Sequence, residues 1–530
     1  MLLPSDQEPA PKSVSSREAT LRPPSASLQR RCGARAQATR MDVDPHACPT
    51  ATGEPETPLA VSASLDPRAV LDNLPLADAV LSLCSWALSP AALDRIFRDH
   101  RGPSFEKLLR FPVFAQLIAD ALLQHQGSGR QSFQRADERG TLPTSAEAAY
   151  GKLRRVPVSL SLGFLEGISA HLRVLFPRDA SAWVAPRCLE ALHPVILDGK
   201  TLKKVARRLK ATRGALGKIS GGKLLVAVDP RSGLALTMAA DLDGEANEAR
   251  LVPDLLPGVD RQVPGPRLWI ADRQFGDPVQ IGRFLARRGD HVLVRWDGRT
   301  SFHPDPERPA VTGADARGRA VIQEWGRYGV ESNKQHRYMR RITLLRAGEA
   351  PIVLMTDLLG EDAYPAAELL EAYLARWRIE RVFQEITEVF SLRRLIGSTA
   401  RATIFQGAFC LVLYNLIQVV RAYIAEGRPD VERTDELSSE QIFYDVRRQL
   451  TAVYELVKVP ELVATVERPW AAGELRVWMK GHLAGVWSER WIKAVNKKPR
   501  AKKSETGPCF GAHNSVHRLV TGHQDGTEPP

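Results

Sequence analysis

Apolar residues recur at spacings of three and four from Leu71 to about Pro177, in LADAVLSLCSWAL, LDRIFRDH, FEKLLRFPVFAQLIADALL and LGFLEGISAHLRVLF. That is the period of amphipathic helices, so the spacing predicts a helical N-terminal domain over residues 67–185. At His193 the pattern changes. PVILD, KLLVAVDP, LALTMAAD, LWIAD and HVLVRWD are short runs rich in Val, Ile and Leu, bounded by Gly, Pro and Asp, and read as buried strands. Segments such as PVQIGRFLARRG lie between some of them, which predicts a mixed α/β sheet over residues 190–297. Residues 298–358 (RAVIQEWGRYG, HRYMRRITLLR, APIVLMTDL) are strand-like with no long helix between them, the pattern of a β-rich insertion. Helical spacing resumes in PAAELLEAYLARWRIERVFQEITEVFSLRRL, giving core helices over residues 359–425, and a helical C-terminal region follows over 426–490 with one helix at Ser438 to Val457.

Both ends lack such a pattern. Residues 1–66 hold nine prolines among many Ser, Ala and Thr, too little apolar surface to order a backbone, so a disordered leader is expected and Met41 is an alternative first residue. Residues 491–530 read as a basic tail. The opening MLLPSDQEPA has no basic region followed by an apolar run, so no secretory signal is expected.

Ala402 to Val420 is uncharged, flanked by Arg401 and Arg421, and close to the ~20 residues a membrane span needs. Its polar residues Thr403, Gly407, Cys410, Tyr414 and Gln418 lie along one stripe with Asn415 beside it, and Gln406 lies off it. That arrangement predicts a helix buried inside a soluble domain rather than a membrane span. Six cysteines with no short spacing exclude a Cys-rich zinc site or redox pair and suit reduced thiols in cytosol.

Charge narrows the partners. Lys and Arg outnumber Asp and Glu by 73 to 61, a formal +12, which favours a polyanion such as nucleic acid. Clustering carries more weight than the total. Between Gly199 and Leu224 there are nine basic residues and no acid, among them Lys200, Lys203, Lys204, Arg207 and Arg208. These form a candidate phosphate-binding surface, with a solvated basic loop as the alternative. Trp491 to Ser504 adds six more basic residues without an acid.

Two aspartates close apolar strands, Asp198 in PVILDGK and Asp272 in LWIADRQFGD. A carboxylate at a strand end is fixed by the sheet yet faces solvent, a position from which a hard cation can be held. Taken singly, an Asp at a strand exit is more often a turn or cap residue. Glu380 lies on a helix where positions 373, 376, 380, 383 and 387 share a face, so Tyr373, Arg376 and Glu380 can line one site. An Arg376–Glu380 surface pair, worth only ~0.3–0.5 kcal/mol, is the alternative.

The string Y-x2-R-W-x-I-E-x2-F at Tyr373 to Phe383, preceded by ILDGK at Asp198 and IADRQFGD at Asp272, resembles the signature of bacterial insertion-sequence DDE transposases. The resemblance is to the group whose catalytic core is interrupted by β-strands, and it spans roughly residues 70–425. It implies an α/β chain with a ribonuclease-H-like catalytic core, in which Asp198, Asp272 and Glu380 bind divalent metal. Two Mg²⁺ or Mn²⁺ ions ~3.5–4 Å apart would serve DNA cleavage and strand transfer without a protein nucleophile. Tyr373 and Arg376 would hold phosphate beside the site, Arg376 by a forked pair of hydrogen bonds. A homodimer on double-stranded DNA, at the nucleoid in the cytoplasm, is the implied assembly.

The sequence departs from the family pattern where a Lys often follows the glutamate by seven residues: Thr387 stands there, and Arg393 or Arg394 is the candidate substitute for contacting the DNA backbone. Trp296 and Trp325, in or near the β insertion, look exposed, and the resemblance implies that one of them stacks on a base displaced at the transposon end, a core position being the alternative. The acidic ADLDGEANE segment reads as a loop and helix start rather than a further metal site. Two other functions stay open: a metal-dependent nuclease of the same fold, and a retired transposase that binds DNA without cutting it.

Overall fold

The computed structural model describes residues 65–524, apart from 178–179, 216, 331–335, 429 and 494–513. The expected leader and most of the basic tail lie outside the described residues. From Ser64 onward the chain clusters as one compact unit.

Seven helices come first: α1 (Pro67–Asp72), α2 (Pro75–Ala87), α3 (Pro90–His100), α4 (Phe111–Leu123), α5 (Gly129–Glu138), α6 (Ala146–Arg155) and α7 (Val158–Leu175). Proline opens α1, α2 and α3, where its missing N–H would be unpaired in any case. Then follow β1 (His193–Lys203), β2 (Ile219–Val228), β3 (Ala235–Asp241), α8 (Val252–Gln262), β4 (Arg267–Ala271), α9 (Pro278–Phe284) and β5 (His291–Arg295). The sheet order here is β3-β2-β1-β4-β5, with β1, β2 and β3 antiparallel and β4 and β5 parallel to β1.

The apolar runs of β1, β2, β4 and β5 have their cause in this layering. Ile196, Leu224, Val226 and Ile270 belong to the core under the long helices. Val195, Leu197, Leu225 and Trp269 belong to a second core beneath α8 and α9. A strand covered on both faces needs apolar residues at every position rather than at alternate ones.

The strands of the insertion do not form a sheet of their own. β6 (Phe302–Pro304), β7 (Val311–Ala314), β8 (Ala320–Tyr328), β9 (Arg337–Arg346) and β10 (Glu349–Thr356) continue the core sheet, because β10 pairs antiparallel with β5. The order runs on as β5-β10-β9-β8-β6, with β7 on β8. The helix expected from Pro365 is two helices, α10 (Ala366–Leu374) and α11 (Trp377–Glu388). At the joint, Arg376, Arg378 and Ile379 donate to carbonyls three residues back, a tighter turn than the α-helix.

α12 (Ala400–Glu426) is the buried helix that its polar stripe predicts, extended by a turn at its C-terminal end. By length and composition α7 and α12 are both apolar enough to cross a membrane, and α12 is fully buried inside the protein. Its polar side chains bond the sheet and the neighbouring helices. Thr403 Oγ1 donates to the Gly221 carbonyl at 2.6 Å, Tyr414 to that of Gly233 at 3.1 Å, and Gln418 Nε2 to Ser439 Oγ at 3.2 Å. Asn415 accepts from Ala235 N at 2.9 Å and donates to the Ala235 carbonyl at 2.8 Å and Ser169 Oγ at 2.9 Å, tying α12 to the start of β3 and to α7. The chain closes with α13 (Ser439–Leu456), α14 (Val459–Val466), α15 (Ala472–Leu483), β11 (Asn514–Ser515), which pairs with β2, and α16 (Val516–Gln524).

Asn415→Ala leaves the Ala235 N–H and carbonyl buried and unpaired. It should lower unfolding stability by roughly 2–3 kcal/mol, read from the denaturant midpoint at unchanged slope.

Candidate active site

The parallel pairing of β1 with β4 sets the site. Ile196 lies opposite Ile270 and Leu197 opposite Ala271, which ends the ladder, so the next residues, Asp198 and Asp272, leave the two strands side by side. Alternation along each strand turns both toward the face of Ile196 and Ile270, the face on which α11 packs. Gly199 N donates to Asp198 Oδ1 at 2.8 Å. Asp272 Oδ1 is buried and has no hydrogen-bond partner.

Glu380 arrives on α11. Ile379, Val382, Phe383 and Ile386 hold the helix against the core, while Glu380, Phe383, Gln384 and Thr387 line a cleft of about 640 Å³. Across it stand Asp198, Lys200, Lys203, Lys204 and Glu248. Thus Asp198 and Glu380 face one cleft, and Asp272 lies on the strand beside Asp198 without lining it.

Arg376 joins them. Its side chain is only 4% exposed, with Nη1 3.4 Å from Asp198 Oδ2 and Nη2 3.1 Å from Glu380 Oε1. Burial by itself would make the guanidinium easier to deprotonate, but Tyr373, Asp272, Asp198 and Glu380 outweigh it and hold the proton more firmly. Tyr373 is buried beneath, its hydroxyl pushed up to about 12 by desolvation. Both residues, expected to face phosphate, are therefore enclosed, and the guanidinium is spent on the carboxylates. The Arg376–Glu380 contact is a helix-neighbour pair, but a half-buried one that also reaches β1.

Burial raises the Asp198 carboxyl to about 6, with Glu248 and Asp272 pushing the same way, against the Gly199 N–H and Arg376. Since the folded value lies above the ordinary one, the stability Asp198 contributes is complete below about pH 4 and is lost as pH rises through about 6. Asp198→Asn has no charge to desolvate. It should therefore be more stable than wild type at pH 7, by up to roughly 3 kcal/mol, and no more stable at pH 4. Urea unfolding at the two pH values measures the difference.

Oxygen-only donors suit Mg²⁺ or Mn²⁺, and an unpartnered Asp272 oxygen is an acceptor in want of a cation. Among the described residues, however, no three His, Cys, Asp or Glu side chains converge closely enough to hold one ion. Arg376 stands between Asp198 and Glu380 and takes the place of a shared cation.

The basic segment divides. Lys200, Lys203 and Lys204 line the cleft, with Lys200 half-buried above the Phe383 ring and made easier to deprotonate by burial and Lys203. Arg207 and Arg208 lie outside it, donating to the carbonyls of Gly217 and Ile396. Thr387 lines the cleft, its hydroxyl bonded to the Phe383 carbonyl at 2.6 Å. Of the two candidate substitutes for the absent Lys, Arg393 lines the cleft, whereas Arg394 lines a separate hollow and bonds Gln126.

Trp325 requires correction. It is fully buried, its Nε1 donates to the Leu359 carbonyl at 2.9 Å, and Arg308 and Arg340 cover its ring. It offers no face to a base, because the inward alternation of β8 makes it core. Trp296 is half-buried, with Nε1 on the Thr300 carbonyl at 2.9 Å. Trp325→Ala should accordingly cost about 3–5 kcal/mol of stability and leave the DNA affinity of the folded fraction unchanged, checked by denaturation and fluorescence-anisotropy titration.

Glu248 was missed. The acidic segment is a loop and helix start as expected, with Asn247 capping the turn at Glu248–Leu251, but the Glu248 side chain enters the cleft beside Asp198. Only the NE pair just before an apolar helix hinted at a residue held in place.

Residues 193–416 match the family model described as the transposase DDE domain, which supports a DDE transposase. Asp198, Asp272 and Glu380 all fall within the matched span. No curated protein matches the chain. Among solved structures, a piggyBac transposase synaptic complex with hairpin DNA is similar over 81% of this chain and 88% of its own, at 10% identity and a TM-score of 0.34.

Proposed function

We propose that the protein is a DNA transposase that cuts at transposon ends and joins the freed 3′ end to target DNA, with Asp198, Asp272 and Glu380 as its catalytic carboxylates. The observation that carries this reading is that Asp198 and Asp272 each follow directly on the last rung of the β1–β4 ladder, with Asp198 and Glu380 on the walls of one lysine-lined cleft inside the matched transposase domain. The strand order β3-β2-β1-β4-β5, antiparallel then parallel, supports a ribonuclease-H-like core.

On this reading Asp198 and Asp272 would hold Mg²⁺ or Mn²⁺, with Glu380 joining them once it leaves Arg376. The bound ions supply an activated water or 3′ hydroxyl and charge stabilisation at the departing oxygen. Lys200, Lys203 and Lys204 bind the backbone on one wall, and Arg393 does so on the other. When Glu380 turns to the cation, Arg376 keeps Asp198 oriented and gains a free edge for a phosphate oxygen. The protein would act as a homodimer at the nucleoid, one copy to each transposon end.

A retired, DNA-binding descendant is the second reading, favoured by the absence of a converged carboxylate triad among the described residues. One experiment separates the two. Protein is mixed with DNA carrying the flanks of its own reading frame, in Mn²⁺ or EDTA. The transposase reading expects metal-dependent nicking and joining. Asp198→Asn, Asp272→Asn and Glu380→Gln should each lose roughly a thousandfold or more in rate, as removal of several kcal/mol of transition-state stabilisation implies. Binding without cleavage in any metal would establish the descendant instead.

Replacing Lys200, Lys203 and Lys204 together with Ala should lower the slope of log affinity against log salt by about one per lysine. An unchanged slope would place the DNA elsewhere.

A further inference from the structure

Beyond the carboxylates of the proposed reaction, one side chain holds their supports together. The β1–β4 ladder ends at Leu197 and Ala271, so no pairing between these strands ties the segments that follow Asp198 and Asp272 to each other. Glu248 spans that gap. Its Oε2 accepts from Gln274 Nε2, two residues after Asp272. Its Oε1 accepts from Lys223 Nζ at 3.1 Å, on the β2 position opposite Thr201. Its carboxylate lies directly over Gly199, where an added Cβ would come 1.8 Å from Glu248 Cδ. A glycine is thus required next to Asp198, in a backbone of ordinary φ, only because Glu248 occupies the space. The side chain is 14% exposed.

We propose that Glu248 is a positioning residue, a brace that fixes the separation of Asp198 and Asp272 by pressing on Gly199 and bonding Gln274, with Lys223 neutralising its charge. Both of its oxygens are engaged, so it acts through the aspartates rather than as a further ligand. The bearing of the brace on catalysis rests on the transposase reading; its bearing on the two aspartates rests on the contacts above.

The test is a double-substitution cycle on the full chain, using Mn²⁺ as the probe. Folding is checked by circular dichroism, Mn²⁺ affinity is measured on DNA-free protein by electron paramagnetic resonance, and single-turnover cleavage is followed on flank DNA. Glu248→Ala and Gln274→Ala should each weaken Mn²⁺ binding about tenfold, the lower range for loss of an outer-shell support. The double variant should be no weaker than either alone, since both break one strut. Glu248→Gln, which keeps an acceptor for Gln274, should retain most of the affinity. Gly199→Ala should reproduce the Glu248→Ala loss and be relieved of its folding defect when combined with it, because the clashing group is gone.

Additive losses, or unaltered Mn²⁺ affinity in a folded Glu248→Ala protein, would overturn the brace. A wild type that binds no Mn²⁺ would overturn it too, leaving DNA binding at the flanks to decide between the functional readings. Coupled Mn²⁺ losses in a protein that cuts no DNA would instead keep the brace and sink the transposase.

Discussion

The structure depends on a single register: Ile196 opposite Ile270 and Leu197 opposite Ala271. Shifting β4 by one residue would turn Asp272 into the second core and Ala271 toward α11, since neighbouring side chains face opposite sides. The apolar cores on both faces make that shift prohibitive. Ile196 and Ile270 are committed to one and Leu197 and Trp269 to the other. The two aspartates are thus held by hydrophobic burial upstream of them, where no catalytic residue is involved.

Burial also explains the electrostatics. Desolvation, with Glu248 and Asp272 near, opposes ionisation of Asp198, and a buried Arg376 is the counter-charge within reach. A partly desolvated acid cluster needs a cation at all times. Arg376 supplies one from the protein itself and thereby ties β1 to α11.

Much of this was legible from sequence because it depends on short-range pattern. The shift from helical spacing to short apolar runs at His193 marks the start of β1, although the strand runs on to Lys203, and the polar stripe of α12 foretold a buried helix whose polar side chains bond the sheet and neighbouring helices. Asp198, Asp272 and Glu380 were singled out by the resemblance of their motifs, since strand-end and helix-face position alone left each ambiguous. What eluded the sequence depended on contacts distant in the chain. Glu248 owes its place to Lys223, Gln274 and the missing side chain of Gly199, none of which has a periodic signature. Trp325 looked exposed because the neighbouring WGRYG reads polar, yet the linker carbonyl of Leu359 and two arginines enclose it. The break between α10 and α11 was equally hidden, since the apolar period runs through it.

Because β10 pairs with β5 through Leu354, Met355 and Thr356, the insertion and the strands that carry the two aspartates share one hydrogen-bonded sheet. Tyr328, on β8, reaches back to bond the Gly276 carbonyl at 2.6 Å, four residues after Asp272. The insertion is therefore no flap swinging on a hinge. It is an extension of the sheet itself, so any displacement of its inner strands must pass through the β10–β5 hydrogen bonds and the Tyr328–Gly276 bond before it reaches the aspartates.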